Sequence, residues 1–237
     1  MFITRRFLTE LLVNRINRPS RVLIRASMSP LAASLRRALA PRALLRSRWL
    51  STEGKGPSGG GFSFPAPQTL QQIVKLDLLV NEEPTQIRRI WEDYHSEKDD
   101  AIARVLDGTE YSTLMERARS APYFIFPVYR QGGFFNMLCQ FQDKCFLVTY
   151  LEAFKENPAL APPCVTVSLF DDLLAEKDVG LLRADVVNML DKAETEKLLN
   201  QLLRSYSNEK LYDWVDKFNN RPNEFDFDAF RHAIDNE

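Results

Sequence analysis

Residues 122–151 read Pro-Tyr-Phe-Ile-Phe-Pro-Val-Tyr-Arg-Gln-Gly-Gly-Phe-Phe-Asn-Met-Leu-Cys-Gln-Phe-Gln-Asp-Lys-Cys-Phe-Leu-Val-Thr-Tyr-Leu, and this stretch decides the fold class. Three runs within it, Tyr123–Tyr129, Phe134–Phe141 and Lys144–Leu151, are rich in aromatic and β-branched residues, which fit a pleated, half-buried surface. Only Arg130–Gly133 and Gln142-Asp143 separate them. Connections that short join antiparallel neighbours, because a parallel pair needs a crossover of about a dozen residues or more. The three runs predict an antiparallel meander.

Downstream, Cys164–Phe170 and Val179–Val187 read as a fourth and fifth strand, and Leu211–Phe218 as a sixth. Asp191–Tyr206 reads as a long helix with Leu198, Leu199, Leu202, Leu203 and Tyr206 on one side, and Phe227, Phe230 and Ile234 mark a short terminal helix. Upstream of the meander the apolar period is helical. Thr69 with Gln72 has the spacing of a capping box, and Leu70, Ile73 and Val74 begin an apolar stripe that Asn81-Glu82-Glu83-Pro84 interrupts. Ile87, Ile90, Trp91 and Tyr94 recur at i, i+3, i+4 and i+7. Ile102, Val105 and Leu106 predict a third helix stopped at Asp107-Gly108, and Tyr111, Leu114, Met115 and Ala118 a fourth ended by Pro122. Helices first, a meander next, then helix, strand and helix predict an α+β fold: a mostly antiparallel sheet of about six strands with N-terminal helices and a long helix packed on it.

The charge is divided unevenly along the 237 residues. The formal net charge is −1, yet residues 1–50 hold eleven Arg, no Lys and a single acid, Glu10, leaving 20 bases against 31 acids in 51–237. An arginine-rich, acid-poor start with interleaved Leu, Ile, Ala and Ser has the composition of a mitochondrial or plastid transit peptide. Arg48-Trp49-Leu50-Ser51 resembles a matrix-protease site, which predicts a mature start near Ser51. The predicted organisation is a transit peptide at 1–50, a Gly/Pro/Ser-rich flexible linker at 51–68, and a single α+β domain at 69–237. The acidic bulk argues against a nucleic-acid partner, since neutralising phosphates takes clustered Lys and Arg. No uncharged apolar run reaches the length of a membrane span. A basic arm that binds nucleic acid is the alternative reading of the first fifty residues.

Catalytic groups are scarce. The two histidines are His95, placed by the pattern at a helix end in a cap or surface role, and His232. There is no Cys-x-x-Cys, His-x-x-x-His or His-Glu-x-x-His, so no metal site is expected. Gly54-Lys55 lacks the spacing of a phosphate loop and no Gly-x-Ser-x-Gly elbow is present. The adjacent acids Asp99-Asp100 and Asp171-Asp172 read as solvated turns. Cys139, Cys145 and Cys164 fall in predicted strands, where cysteine acts as a small buried hydrophobe. Cys139 and Cys145 could also meet across the hairpin, and a small matrix enzyme or thiol oxidoreductase using them is the alternative function. No catalytic residue, cofactor or small-molecule substrate is predicted.

The stretch Phe218-Asn219-Asn220-Arg221-Pro222-Asn223-Glu224-Phe225-Asp226-Phe227 packs three Phe around a proline-stiffened turn. Pro222 holds Arg221 extended, and Asn223 is a candidate helix cap. One reading is a corner whose Phe residues anchor it to the core. The other is a rigid loop presenting Arg and Phe to a partner, both being common at interface centres.

This block, with Ile90-Trp91-Glu92-Asp93-Tyr94-His95 and Pro122-Tyr123-Phe124-Ile125-Phe126-Pro127-Val128 plus Arg130, resembles the mitochondrial ATP synthase F1 complex assembly factor 1 family over about Leu70 to the C-terminus. The resemblance implies a matrix chaperone that binds the free catalytic β subunit of ATP synthase until α subunits arrive, without hydrolysing ATP. It points to Phe218, Asn219, Arg221, Pro222, Asn223, Glu224 and Phe225, with Trp91 and Tyr94, as partner-binding residues.

Overall fold

The computed structural model describes residues 67–236, with side chains through Ile234. The predicted transit peptide at 1–50 and all but the last two residues of the predicted linker lie outside the described residues. The chain enters through two single-turn helices, α1 (Leu70–Ile73) and α2 (Leu76–Leu79). At the first of them the Thr69 N–H donates to Gln72 Oε1 at 2.8 Å, the return half of the expected capping box. Pro84 then opens α3 (Pro84–Ser96) at its first position, where a missing N–H costs nothing. Ile87, Trp91 and His95 form its buried face.

Ala101–Asp107 is a strand, β1, and not the predicted third helix. Its residues pair antiparallel with β6 (Val179–Val186), from Ala101 opposite Asp185 to Asp107 opposite Val179. Both faces of β1 are covered: Ile102 joins the main core, while Ala103 and Val105 join a second cluster with Ile87, Trp91, Phe170 and Leu181. Burial on both sides erases the alternation that marks a strand, and the pairing that decides the matter lies some 80 residues away. Asp107-Gly108 is a strand-to-helix turn. Asp107 caps α4 (Gly108–Ser120): its Oδ1 accepts from Glu110 N–H at 2.8 Å and Glu110 Oε2 accepts from Asp107 N–H at 3.0 Å.

The meander follows as expected: β2 (Tyr123–Arg130), β3 (Gly133–Gln142) and β4 (Cys145–Tyr150). A short helix α5 (Leu151–Glu156) leads to β5 (Pro163–Phe170), and α6 (Leu174–Lys177) to β6. The sheet order is β1-β6-β5-β4-β3-β2, with every neighbouring pair antiparallel. Pro127 is tolerated because β2 is an edge strand. Gly180 lets the Tyr111 ring lie on β6: a Cβ there would stand 2.4 Å from that ring.

The long helix α7 (Lys192–Ser207), expected over Asp191–Tyr206, is capped by Asp191. Leu211–Phe218, predicted as a strand, lies inside helix α8 (Glu209–Asn220). Leu211, Val215 and Phe218 are its buried residues, spaced i, i+4, i+7, and Asn208 Oδ1 caps it by accepting from Lys210 and Leu211 N–H. Aromatic and β-branched content suggested a strand there; the period of 3.6 was the better guide. A 3-10 turn (Pro222–Glu224) and α9 (Phe227–Asn236) complete the chain. The sheet has the six strands expected, with β1 in the place of 211–218.

Candidate functional site

The predicted partner-binding residues divide between a corner after α8 and the helix α3. Asn219, in the last turn of α8, staples that helix to the start of β2. Its Oδ1 accepts from Tyr123 N–H at 3.1 Å, and its Nδ2 donates to Tyr123 O at 2.6 Å and Val215 O at 2.8 Å. Phe218 is buried and stands edge-on to Phe124 at 5.6 Å and to Phe225 at 5.2 Å. Half-buried Phe225 also meets Phe124, Trp214 and Phe230. Aromatic pairs in this geometry gain beyond the area they bury.

Arg221 stands outside that cluster with its side chain 41% exposed, and its fork is fully engaged by its own chain. Nη2 meets Asp213 Oδ1 at 2.5 Å, Nε donates to Asp216 Oδ2 at 3.0 Å and Nη1 to Glu224 Oε2 at 2.7 Å. These bonds raise the Arg221 pKa, and Lys217 with Arg221 holds the Asp213 carboxyl below its usual range. Pro222 and Glu224 shape the 3-10 turn. Asn223 is exposed and does not cap α9; Asp226 does, its Oδ1 accepting from Ala229 N–H at 2.9 Å.

Trp91 has no surface to offer a partner: it is fully buried and donates from Nε1 to Leu182 O at 3.1 Å. Tyr94 is exposed, carries the Lys98 ammonium 4.5 Å over its ring, and lines an apolar groove with Ile73, Val74, Leu78 and Ile90. His95 is buried, not at the surface as its place near a helix end suggested. Its Nδ1 lies 2.7 Å from Trp91 O, and its Nε2 has no hydrogen-bond partner among the described residues. Burial lowers its pKa, with Arg183 and Lys98 acting in the same sense.

All three cysteines are reduced and buried. Cys139 stands opposite Val148 and Cys145 opposite Gln142, so the two are not cross-strand partners. Burial raises the Cys139 thiol well above its ordinary range and pushes Cys145 up to about 12. Thiols held that protonated are poor nucleophiles. Among the described residues no group of His, Cys, Asp and Glu is placed to hold a metal ion, and no helix is long and apolar enough to cross a membrane.

A second surface carried no signal strong enough to be singled out in the sequence. Seven large apolar side chains are exposed among the described residues: Leu78, Tyr94, Tyr129, Phe134, Leu160, Val187 and Met189. Five of them, all but Leu78 and Tyr94, gather where β2, β4 and β6 end and β3 and β5 begin. Tyr129-Arg130 and Gly133-Phe134 flank a hairpin turn, the one local cue that could have located this rim.

Residues 61–230 match the family described as ATP11 protein. The chain belongs to the ATP11 family. The matched region contains the whole sheet, Trp91, Tyr94 and the corner. Among curated proteins the chain is similar to three named "ATP synthase mitochondrial F1 complex assembly factor 1". That of Danio rerio is 26% identical over 74% of this chain and 58% of its own length. The proteins of Mus musculus and Homo sapiens are 26% and 25% identical over 73% and 74% of this chain, and 54% of their own lengths. This ATP11-family chain thus spans little more than half the length of these relatives.

Proposed function

We propose that the protein is a non-catalytic assembly chaperone of the mitochondrial ATP synthase, acting in the matrix on the free catalytic β subunit of F1. Membership of the ATP11 family, whose similar members are named as F1 assembly factors, carries this reading. An arginine-rich start of import-signal composition agrees with it. So do cysteines buried as protonated thiols, which leave the thiol oxidoreductase alternative without a nucleophile.

The physical task needs no ATP. A subunit that will be covered by a neighbour exposes apolar surface before the neighbour arrives, and such surface aggregates. A protein that binds it lowers the concentration of the aggregating species by mass action, and it can release its client if its contact is smaller than the final interface. In this reading the accessible members of the corner, Arg221, Asn223 and Glu224, lie at the margin of the contact, and Tyr94, on α3, stays outside it. Phe218, Asn219, Pro222, Phe225 and Trp91 hold the surface in shape from beneath.

The test is light scattering of isolated β subunit diluted from denaturant, with and without the full 237-residue chain. Suppression at near-stoichiometric amounts, without nucleotide, is the expected result. Aggregation of the β subunit that proceeds unchanged would sink the proposal.

A further inference from the structure

We infer that the rim of Tyr129, Phe134, Leu160, Val187 and Met189, at one end of the sheet, is the centre of the surface on which an isolated F1 subunit docks. Its occupant is the apolar face that a neighbouring subunit covers in the assembled head. The inference rests on the chaperone reading and adds the place of contact.

Topology makes the rim. Because the sheet is antiparallel throughout, β2, β4 and β6 run towards the same end, where β3 and β5 start. The connections there bring together residues far apart in sequence. Tyr129 and Phe134 face each other across the hairpin, ring centroids 5.9 Å apart. From the same hairpin Arg130 reaches the segment after β6, its Nη2 donating to Met189 O at 2.7 Å. Met189 Sδ lies 4.0 Å from Cys164 Sγ at the start of β5, and Val187 N–H donates to Cys164 O at 2.9 Å. Asn188 Nδ2 lies 3.5 Å from Pro163 O, and Leu160 sits in the loop that enters β5 just before Pro163. Together these contacts bring the hairpin, the β4–β5 connection and the segment after β6 to one end of the sheet. The exposures are 45% for Tyr129, 39% for Phe134, 73% for Leu160, 56% for Val187 and 40% for Met189.

Charge selects the occupant. The two arginines at the rim already have acceptors in this chain. Arg130 binds both carboxylate oxygens of Glu194, at 2.6 and 2.8 Å, and lies 4.9 Å over the Phe135 ring. Arg231 pairs with Asp228 at 3.0 Å and lies 4.6 Å over the Phe134 ring. An acidic peptide or a polyanion would have to displace these carboxylates, and residues 51–237 are acidic overall. An apolar face displaces only water. The rim composition, aromatic residues and Met with Arg, is also that of interface centres. Gly132, at φ 90°, supplies the left-handed turn that sets the two rings opposite each other.

The deciding experiment uses full-length chain and three sets of exposed substitutions: Tyr129→Ser, Phe134→Ser and Met189→Ser together; Leu160→Ser with Val187→Ser; and, at the groove, Leu78→Ser with Tyr94→Ser. Binding is titrated against isolated α and β subunits, alongside melting temperature and sedimentation. The first set should weaken binding at least about tenfold with melting nearly unchanged, the second should weaken it less, and the groove set should not. Weakening against α alone would refute the choice of β and leave the rim standing. Wild-type chain that binds neither subunit would take down both readings. Rim variants that bind as wild type, loss at the groove instead, or a rim that proves to join two copies of this chain without affecting subunit binding would each overturn the inference.

Discussion

The corner after α8 and the rim at the strand ends use similar residues, aromatics and arginines, to opposite effect. In the corner, Phe218 and Phe225 close on Phe124 and Phe230, and Arg221 closes on three carboxylates of its own chain. At the rim, Tyr129 and Phe134 keep a large part of their rings in solvent, and Met189, whose backbone O accepts from Arg130 of the same hairpin, is 40% exposed. A distinctive block of sequence can therefore be distinctive because it builds a corner. A docking surface can be assembled from five residues on three connections, none of them distinctive in the sequence. The comparison predicts that corner substitutions act on stability and rim substitutions on binding.

The largest effect expected is from Phe218→Ala. Removing a buried ring from the Phe124–Phe225 cluster should cost about 3–5 kcal/mol of folding stability, read by denaturant unfolding. Binding measured well below the lowered melting point should persist. Binding lost with stability intact would reverse the roles assigned to corner and rim.

Asn219→Ala comes next. It removes both hydrogen bonds to the Tyr123 backbone and the bond to Val215 O, leaving partly buried groups to find water. The expected cost is about 1–3 kcal/mol. Asn219→Asp sharpens the point: it keeps an acceptor for Tyr123 N–H but sets a carboxylate oxygen against Tyr123 O and Val215 O in the last turn of a helix, and should cost at least as much as Ala.

What the sequence made legible follows the same division. The meander was readable because its partners are adjacent and its turns short, so Tyr129 opposite Phe134 is a local fact. β1 was not, because Ala101–Asp107 acquires its identity from β6 and is buried on both faces. In α8, Leu211, Val215 and Phe218 carried a helical period that Tyr212, Trp214 and Val215 disguised with strand-forming side chains. His95 continues the buried i, i+4 series of Ile87 and Trp91; its place at the helix end suggested the surface, and the spacing was the better guide. For the site, the Arg-Pro-Asn-Glu-Phe block located a corner, yet no local pattern could reveal that Arg221 faces Asp213 and Asp216 or that Met189 lies beside the hairpin. Those are products of topology.

A smaller effect tests the second cluster behind the sheet. His95 is held neutral by burial, its folded-state pKa below the 6.5 of the unfolded chain. Above pH 6.5 both states carry neutral imidazole and stability does not depend on it. Below that, the unfolded chain takes up the proton first, so stability falls as pH drops from 6.5 towards the folded pKa. His95→Gln should flatten the slope of melting temperature against pH between 7.5 and 5.5 relative to wild type. An unchanged slope would mean that another group sets the acid sensitivity, and that the imidazole already has access to solvent.

The smallest expected effect is at the most conspicuous residue. Arg221 makes three short ion pairs, but its side chain and those of its partners are substantially solvated, and exposed pairs contribute about 0–1 kcal/mol each at most. Arg221→Gln should leave denaturant unfolding nearly unchanged, and added salt should shrink any difference further, since screening weakens the pairs that wild type retains. On binding, a marginal arginine should matter by no more than about threefold, mostly through the association rate. A loss beyond about tenfold at unchanged melting temperature would mean that Arg221 exchanges Asp213 and Asp216 for acceptors on the client subunit. The corner would then be the centre of the contact, and the rim its edge.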